Sequence, residues 1–93
     1  MKIVDYSFYK INDPTGIMVG DRYEFLLNIE VDEEDELYTE GGLEIRVILA
    51  REEEGARLAH YNFIDKETRK TLEFALEEDE EQEILEYCST RLP

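Results

Sequence analysis

The sequence is poor in the residues that most catalytic and metal sites use. Its 93 residues contain one cysteine, Cys88, and one histidine, His60. No internal disulfide can form, so a reducing compartment fits best, and one residue of each type argues against a zinc site. Gly41-Gly42 lacks the lysine and the hydroxyl residue of a phosphate-binding loop. The longest purely apolar run, residues 47–50, is far too short to span a membrane.

Basic residues are also scarce. The chain has 10 Lys and Arg against 25 Asp and Glu, and its formal net charge is −15. Such a field repels phosphate groups, which predicts no direct binding to nucleic acid or to membranes. The first five residues already include an acid, Asp5, and no long apolar stretch begins there, so no signal peptide is expected. The predicted location is the cytoplasm.

Despite this high charge, apolar and polar residues alternate regularly along the chain. In the segment 23–31, one face carries Tyr23, Phe25, Leu27, Ile29 and Val31. A disordered acidic tail has too little apolar material for such a pattern, whereas apolar residues make up 42% of this chain. Residues 1–93 are therefore predicted to fold as a single domain.

Alternation of this kind recurs along the chain and predicts five strands, over residues 2–11, 21–31, 43–51, 56–64 and 71–76. Two short connections predict hairpins. Gly55 suits a positive φ in the first, and Asp65 can open the second with an Asx-turn. Proline and glycine predict a turn over 13–16, and residues 17–19 add a short extended piece.

The last segment changes to a helical period. Its apolar residues fall on one helical stripe, formed by Ile84, Leu85, Cys88 and Leu92. Residues 77–83 hold six acids, which the positive end of a helix dipole favours. Asp79 with Gln82 three residues later resembles a capping box. A C-terminal helix is therefore predicted to begin in this acidic stretch.

These elements predict an α+β fold, a five-stranded antiparallel meander sheet with one C-terminal helix packed on one face. The short connections imply that strands adjacent in the chain are antiparallel neighbours. The predicted core lies between the inner sheet face and the helix stripe, and it comprises Val4, Tyr6, Phe8, Phe25, Leu27, Ile29, Ile45, Val47, Leu49, Tyr61, Phe63, Leu72, Phe74, Ile84, Leu85 and Cys88.

Four segments of the chain resemble a small acidic family of uncharacterised proteins from bacilli. They are Asp13-Pro14-Thr15-Gly16-Ile17, Tyr23-Glu24-Phe25, Asp35-Glu36-Leu37-Tyr38 and the acid-rich start of the last helix. The resemblance covers nearly the whole chain, and none of these motifs is specific to a chemistry. It implies a self-contained bacterial domain without an established function.

The candidate catalytic groups are predicted to lie apart. Cys88 falls on the apolar helix stripe, where a thiol behaves as a small hydrophobe. His60 is out of phase with Tyr61 and Phe63, so it should point to the other side of the sheet. Carboxylate pairs arise by chance among 25 acids, and acid–base work needs one of them in a desolvated cleft. We expect no catalytic residue and no cofactor.

The acidic run 32–36 is the densest set of possible metal ligands. It lacks the ligand spacing and central glycine of an EF-hand loop, so no metal site is predicted. Five consecutive acids instead predict a solvated loop, with Leu37 and Tyr38 holding it to the body of the domain.

The outer sheet face, turned away from the helix, is richer in aliphatic residues than a solvated face needs. Alternation places on it Leu26, Asn28, Arg46, Ile48, Ala50, Leu58, His60, Asn62, Ile64 and Ala75. Contiguous apolar surface of this kind often marks a partner site. The hypothesis is a non-catalytic domain that binds a protein partner, one with a basic surface, or a second copy of itself. Its predicted anchors are Leu26, Ile48, Leu58, His60 and Ile64.

Two alternatives stay open at this point. Acids spaced like phosphates can mimic nucleic acid and occupy a basic DNA- or RNA-binding protein, and the acids of residues 32–36, 52–54 and 77–83 form such an array. A small enzyme or ligand carrier is the second alternative, and it requires an enclosed pocket with convergent polar groups.

Overall fold

Alternating apolar and polar side chains build an antiparallel sheet that carries one helix on its inner face. The computed structural model describes residues 2–12 and 20–92. Its elements are β1 (Lys2–Ile11), β2 (Asp21–Glu30), β3 (Leu43–Glu52), β4 (Gly55–Asp65), β5 (Thr71–Leu72) and α1 (Glu78–Ser89). The turn predicted over 13–16 and the extended piece predicted over 17–19 lie outside the described residues.

The five strands follow one another across the sheet in chain order, β1-β2-β3-β4-β5, and each is antiparallel to the next. Gly55 connects β3 to β4 with a φ of 131°, a backbone conformation that glycine adopts without steric cost. The predicted α+β meander with one C-terminal helix is therefore confirmed.

β2 and β3 are interior strands of the sheet and give the core most of its side chains. Every second residue of each strand is buried on the inner face. From the other side, α1 buries Ile84 and Cys88, while Leu85 and Leu92 pack partly buried against the same core. The predicted helix stripe is confirmed.

The predicted core positions in β1 are wrong. Val4, Tyr6 and Phe8 are 49%, 40% and 36% exposed. Tyr6 lies opposite Leu27 and Phe8 opposite Phe25, so both rings do stand on the inner side of the sheet. They remain exposed because β1 is the edge strand and α1 packs mainly against β4. Val4 is an extra residue at a β-bulge, where the register shifts.

The predicted fifth strand is too long. Only Thr71 and Leu72 pair with β4. The chain then leaves the ladder, yet Phe74 packs against the core and Leu76 is buried in it. The Leu76 amide donates a hydrogen bond of 2.9 Å to the Tyr61 hydroxyl, which satisfies a backbone group that no strand partner reaches.

The N-cap of the helix lies two residues before the predicted one. Glu77 is the N-cap, and Glu80 completes a capping box in place of the predicted pair of Asp79 and Gln82. The Glu77 amide donates to Glu80 Oε1 at 3.0 Å. Four acids occupy the first turn, where the helix dipole stabilises negative charge.

Asp65 forms the predicted Asx-turn and also anchors a neighbouring loop. Its Oδ1 accepts hydrogen bonds from the amides of Glu67 and Thr68, at 2.9 and 3.1 Å, and its Oδ2 accepts from the Thr39 hydroxyl at 2.8 Å. The Thr68 amide is the main reason that the pKa of Asp65 lies below its usual value. A Cβ on Gly41 would lie 2.7 Å from Asp65 Oδ1, so this close approach requires glycine.

The acidic segment 32–36 is exposed, as predicted. Leu37 packs against the core and holds the segment to the body. Tyr38, predicted to do the same, is 40% exposed. Leu37, in the connection between β2 and β3, therefore packs on the inner side of the sheet and not on the outer sheet face.

Candidate binding surface on the outer sheet face

Three cross-strand rows make up the centre of the outer sheet face. The strand register aligns them as Tyr9-Glu24-Ile48-His60, Ser7-Leu26-Arg46-Asn62 and Asp5-Asn28-Glu44-Ile64. Each row takes one residue from each of β1 to β4. Four of the five predicted anchors, Leu26, Ile48, His60 and Ile64, therefore share this face, as the alternation indicated.

The fifth anchor is misplaced. A β-bulge in β4 makes Ala59 an extra residue, so His60 lies opposite Ile48 while Leu58 lies opposite Leu49. Leu49 is fully buried on the inner face, and Leu58 packs against the core beside it. One additional residue reverses the side to which the following positions point. Leu58 is thus no part of the outer sheet face.

Two other positions assigned to this face contribute nothing to its contact surface. Ala50 is fully buried, with 0% exposure, between its cross-strand neighbours Arg22 and Arg57. Ala75 is exposed but follows the end of β5 and belongs to no strand.

Glu24 is the buried centre of the outer sheet face, and it pairs with the partly exposed Arg46. The Glu24 side chain is only 8% exposed, and its Oε1 accepts a hydrogen bond from Arg46 Nε. The Tyr9 hydroxyl donates to the same carboxylate, which raises the pKa of Tyr9. A buried carboxylate needs such partners, so these three side chains are held in one arrangement.

Further polar pairs surround this centre. Asn28 Nδ2 donates to Asp5 Oδ1, and His60 Nε2 lies 3.0 Å from Asn62 Oδ1. His60 is exposed, and Asn62 is its neighbour on the same face of β4.

Glu44 completes the frame on the β5 side of the face. Arg69 Nη1 lies 3.4 Å from Glu44 Oε1. That contact joins opposite charges without hydrogen-bond geometry, since this oxygen is buried and makes no hydrogen bond.

The apolar anchors stand between these polar groups. Leu26, Ile48 and Ile64 are each partly exposed. Leu26 and Ile48 lie on opposite sides of the Glu24–Arg46 pair, because the two pairs occupy the crossing diagonals of the same two rows. Ile64 lies apart from them, beyond Arg46. The face is thus a central ion pair with three separate apolar side chains around it.

No helix among the described residues lies over this face. In the described ranges, α1 packs on the inner side, and the connecting segments bury their apolar residues there too, including Val31, Leu37 and Phe74. The described residues 2–12 and 20–92 also contain no cluster of three or more His, Cys, Asp or Glu with metal-ligand geometry. No helix among them is long and apolar enough to cross a membrane.

The structure keeps Cys88 and His60 on opposite sides of the sheet. Cys88 is buried in the core with α1, whereas His60 is exposed on the outer sheet face. A concavity of about 440 Å³ beside His60 is lined by Tyr61, Phe74 and Glu81, among others, and is open to solvent. Ligand carriers bury most of their ligand in enclosed pockets, so this concavity gives no support to that alternative.

A comparison with protein families gives one match over the full length. The model of DUF6509, a family of unknown function, matches residues 1–93. The chain belongs to this family. No curated protein and no solved structure matches it. Membership in DUF6509 confirms the resemblance read from the four segments, while an origin in bacilli stays a prediction.

Burial makes the single thiol of this DUF6509 chain unreactive. Cys88 has 0% exposure, and desolvation raises its pKa to about 12, so almost no thiolate exists at pH 8. We expect the native protein to react with a thiol reagent at least about 100-fold more slowly than the urea-unfolded protein. Absorbance of the released chromophore measures both rates. Equal rates would place Cys88 outside the core.

Proposed function

We propose that this chain is a non-catalytic cytoplasmic domain that binds another protein through the outer sheet face. The supporting observation is a sheet face that no described helix covers, with Leu26 and Ile48 on either side of the Glu24–Arg46 pair. Protein interfaces commonly combine apolar contacts with hydrogen-bonding polar groups. No established activity of the DUF6509 family bears on this proposal.

The arrangement of polar groups favours binding because little order has to be imposed on association. Arg46, Glu24 and Tyr9 already hold one another, as do Asn28 and Asp5. Ordering a long side chain at an interface costs about 0.5–1.5 kcal/mol. The folded domain already orders these side chains, so part of this ordering cost does not arise when a partner docks.

Net charge selects the kind of partner. With a formal charge of −15, the domain attracts proteins with a basic surface and accelerates their encounter at low salt. The acids of the 32–36 loop and of the helix start are exposed at several positions, so they can act at a distance while the sheet face makes the contact. Binding should weaken as salt rises.

The first experiment compares two variants that introduce the same charge. Immobilised wild type, Ile48→Glu and Tyr38→Glu are exposed to a lysate of the source organism, and the retained proteins are identified and quantified. Tyr38 is an exposed side chain in the loop between β2 and β3, so it is the matched control. We expect Ile48→Glu to lose at least about 90% of a protein that wild type and Tyr38→Glu both retain, because the glutamate would be desolvated at the contact.

Thermal melting of each variant checks that the fold is intact. Equal retention by folded Ile48→Glu and wild type would contradict the proposal. A third variant tests the nucleic-acid mimic, with Glu78→Gln, Asp79→Asn and Glu83→Gln combined. These acids are exposed, whereas Glu77 and Glu80 form the helix cap and are left unchanged. Loss of capture in this variant alone would favour mimicry over sheet-face binding.

A further inference from the structure

The outer edge of β1 is a second surface, separate from the outer sheet face. β1 is ten residues long and pairs with β2 along one side. Within the described ranges, no strand lies along its other side. Half of its backbone N–H and C=O groups therefore point outward in a row that another strand can pair with. Natural proteins usually shorten, charge or cover such an edge.

Exposed apolar side chains concentrate on this strand. Among the described residues the large exposed hydrophobics are Val4, Tyr6, Phe8, Tyr9 and Tyr38, and four of them belong to β1. Phe8 stacks on Phe25 with 4.9 Å between ring centroids, and Tyr6 meets Tyr87 of α1 edge-on at 5.7 Å. The inner side of β1 is thus a partly exposed margin of the core at the sheet edge, where Tyr87 and Arg91 contact Tyr6.

Charge identifies the occupant. β1 carries two lysines, Lys2 and Lys10, and one aspartate, Asp5, so it is the one described element with a net positive charge. By contrast, α1 carries six acids and no base, and β2 carries three acids and one arginine. A basic partner would be drawn to those elements. A second copy of this acidic chain meets the least repulsion at β1.

We propose that β1 pairs with β1 of a second copy in antiparallel orientation, about a two-fold axis perpendicular to the sheet. The bulge at Val4 leaves residues 5–11 as the regular segment for this pairing. The two sheets join into one of ten strands, with both helices on the same side. Phe8 then faces its counterpart in the other copy, and Tyr6 of each copy lies diagonal to that pair. This pairing leaves the outer sheet face free in each copy, so it does not depend on the proposed function.

Sedimentation equilibrium of wild type, Tyr6→Glu and Tyr38→Glu tests the pairing. Tyr6 and Tyr38 are both 40% exposed, and both substitutions add one negative charge. We expect wild type to form dimers, Tyr6→Glu to raise the dissociation constant at least about tenfold, and Tyr38→Glu to change it less than about twofold. A wild type that stays monomeric up to about 1 mM, or folded variants that behave alike, would overturn the proposal.

Salt and hydrogen exchange provide tests that need no variant. Screening between two copies of charge −15 should lower the dissociation constant as salt rises to about 0.15 M, the opposite of the trend for a basic partner. Raising the concentration of wild type should also slow exchange of the β1 amides that point away from β2. Protection that appears instead on the free edge of β4, or a dissociation constant that rises with salt, would contradict pairing through β1.

Discussion

Replacing Phe25 by alanine should lower the free energy of unfolding by about 3–5 kcal/mol, the usual cost of removing a fully buried aromatic ring. Phe25 is 0% exposed and lies in β2 between Phe8 of β1 and Val47 of β3. It stacks on Phe8, so its loss leaves a cavity and also releases the inner side of the edge strand. Urea denaturation followed by circular dichroism measures the change.

The control for this substitution is Tyr38→Ala. Tyr38 is an aromatic residue that is 40% exposed, so the change should stay within about 0.5 kcal/mol. Domains of this size are stable by only about 5–15 kcal/mol, and Phe25→Ala would remove much of that. A loss below about 1 kcal/mol would mean that the interior of the sheet is not packed around Phe25 as described.

Arg46→Met should destabilise the fold by about 2 kcal/mol because it leaves the Glu24 carboxylate buried without its charged partner. The Glu24 side chain is 8% exposed and the Arg46 side chain 39%. That exposure of Arg46 is why we expect less than the cost of breaking a fully buried pair. Methionine keeps most of the aliphatic stem, so the measurement in urea reports mainly the lost ion pair.

Arg57→Met is the matched comparison. Arg57 lies 3.7 Å from Glu52, with side chains 58% and 36% exposed, and such surface pairs contribute about 0–1 kcal/mol. Adding Glu24→Gln to Arg46→Met should recover part of the lost stability, since the buried charge is then gone. Equal effects of the two arginine substitutions would contradict a dependence of the buried Glu24 carboxylate on Arg46.

The fold followed from the sequence wherever a side-chain period decides the structure. In β2 and β3 a period of two places the core residues Phe25, Leu27, Ile45 and Val47 on one face, and in α1 the stripe through Ile84 and Cys88 does the same at a helical period. Asp65 and Gly55 were predictable because their turns depend on local backbone chemistry.

Features that depend on neighbouring strands were not predictable. Nothing in the alternation of β1 says that the strand lies at the edge of the sheet, so Tyr6 and Phe8 read as core. The helix cap moved to Glu77 because a run of acids offers several possible N-caps. Buried positions at the ends of regular segments, Leu43 and Leu76, were also left out of the predicted core.

The candidate site was predictable to the same extent as the fold. Leu26, Ile48, His60 and Ile64 follow strand phase, whereas Leu58 turned inward because a bulge inserts Ala59, and bulges have no reliable sequence signal. Glu24 with Arg46 was missed because the pair depends on the β2–β3 register. A long connection joins these strands, so no tight turn fixes that register. Opposite charges on the same face of two adjacent strands were the available signal.

Methyl cross-saturation measured on a complex with a captured partner tests the central claim most directly. The labelled domain is irradiated through the unlabelled partner, and the affected methyl groups identify the contact surface. We expect the strongest effects at Leu26, Ile48 and Ile64, with Leu58 and the core methyl groups unaffected. Effects confined to α1 or to β1, with those three residues silent, would contradict binding through the outer sheet face.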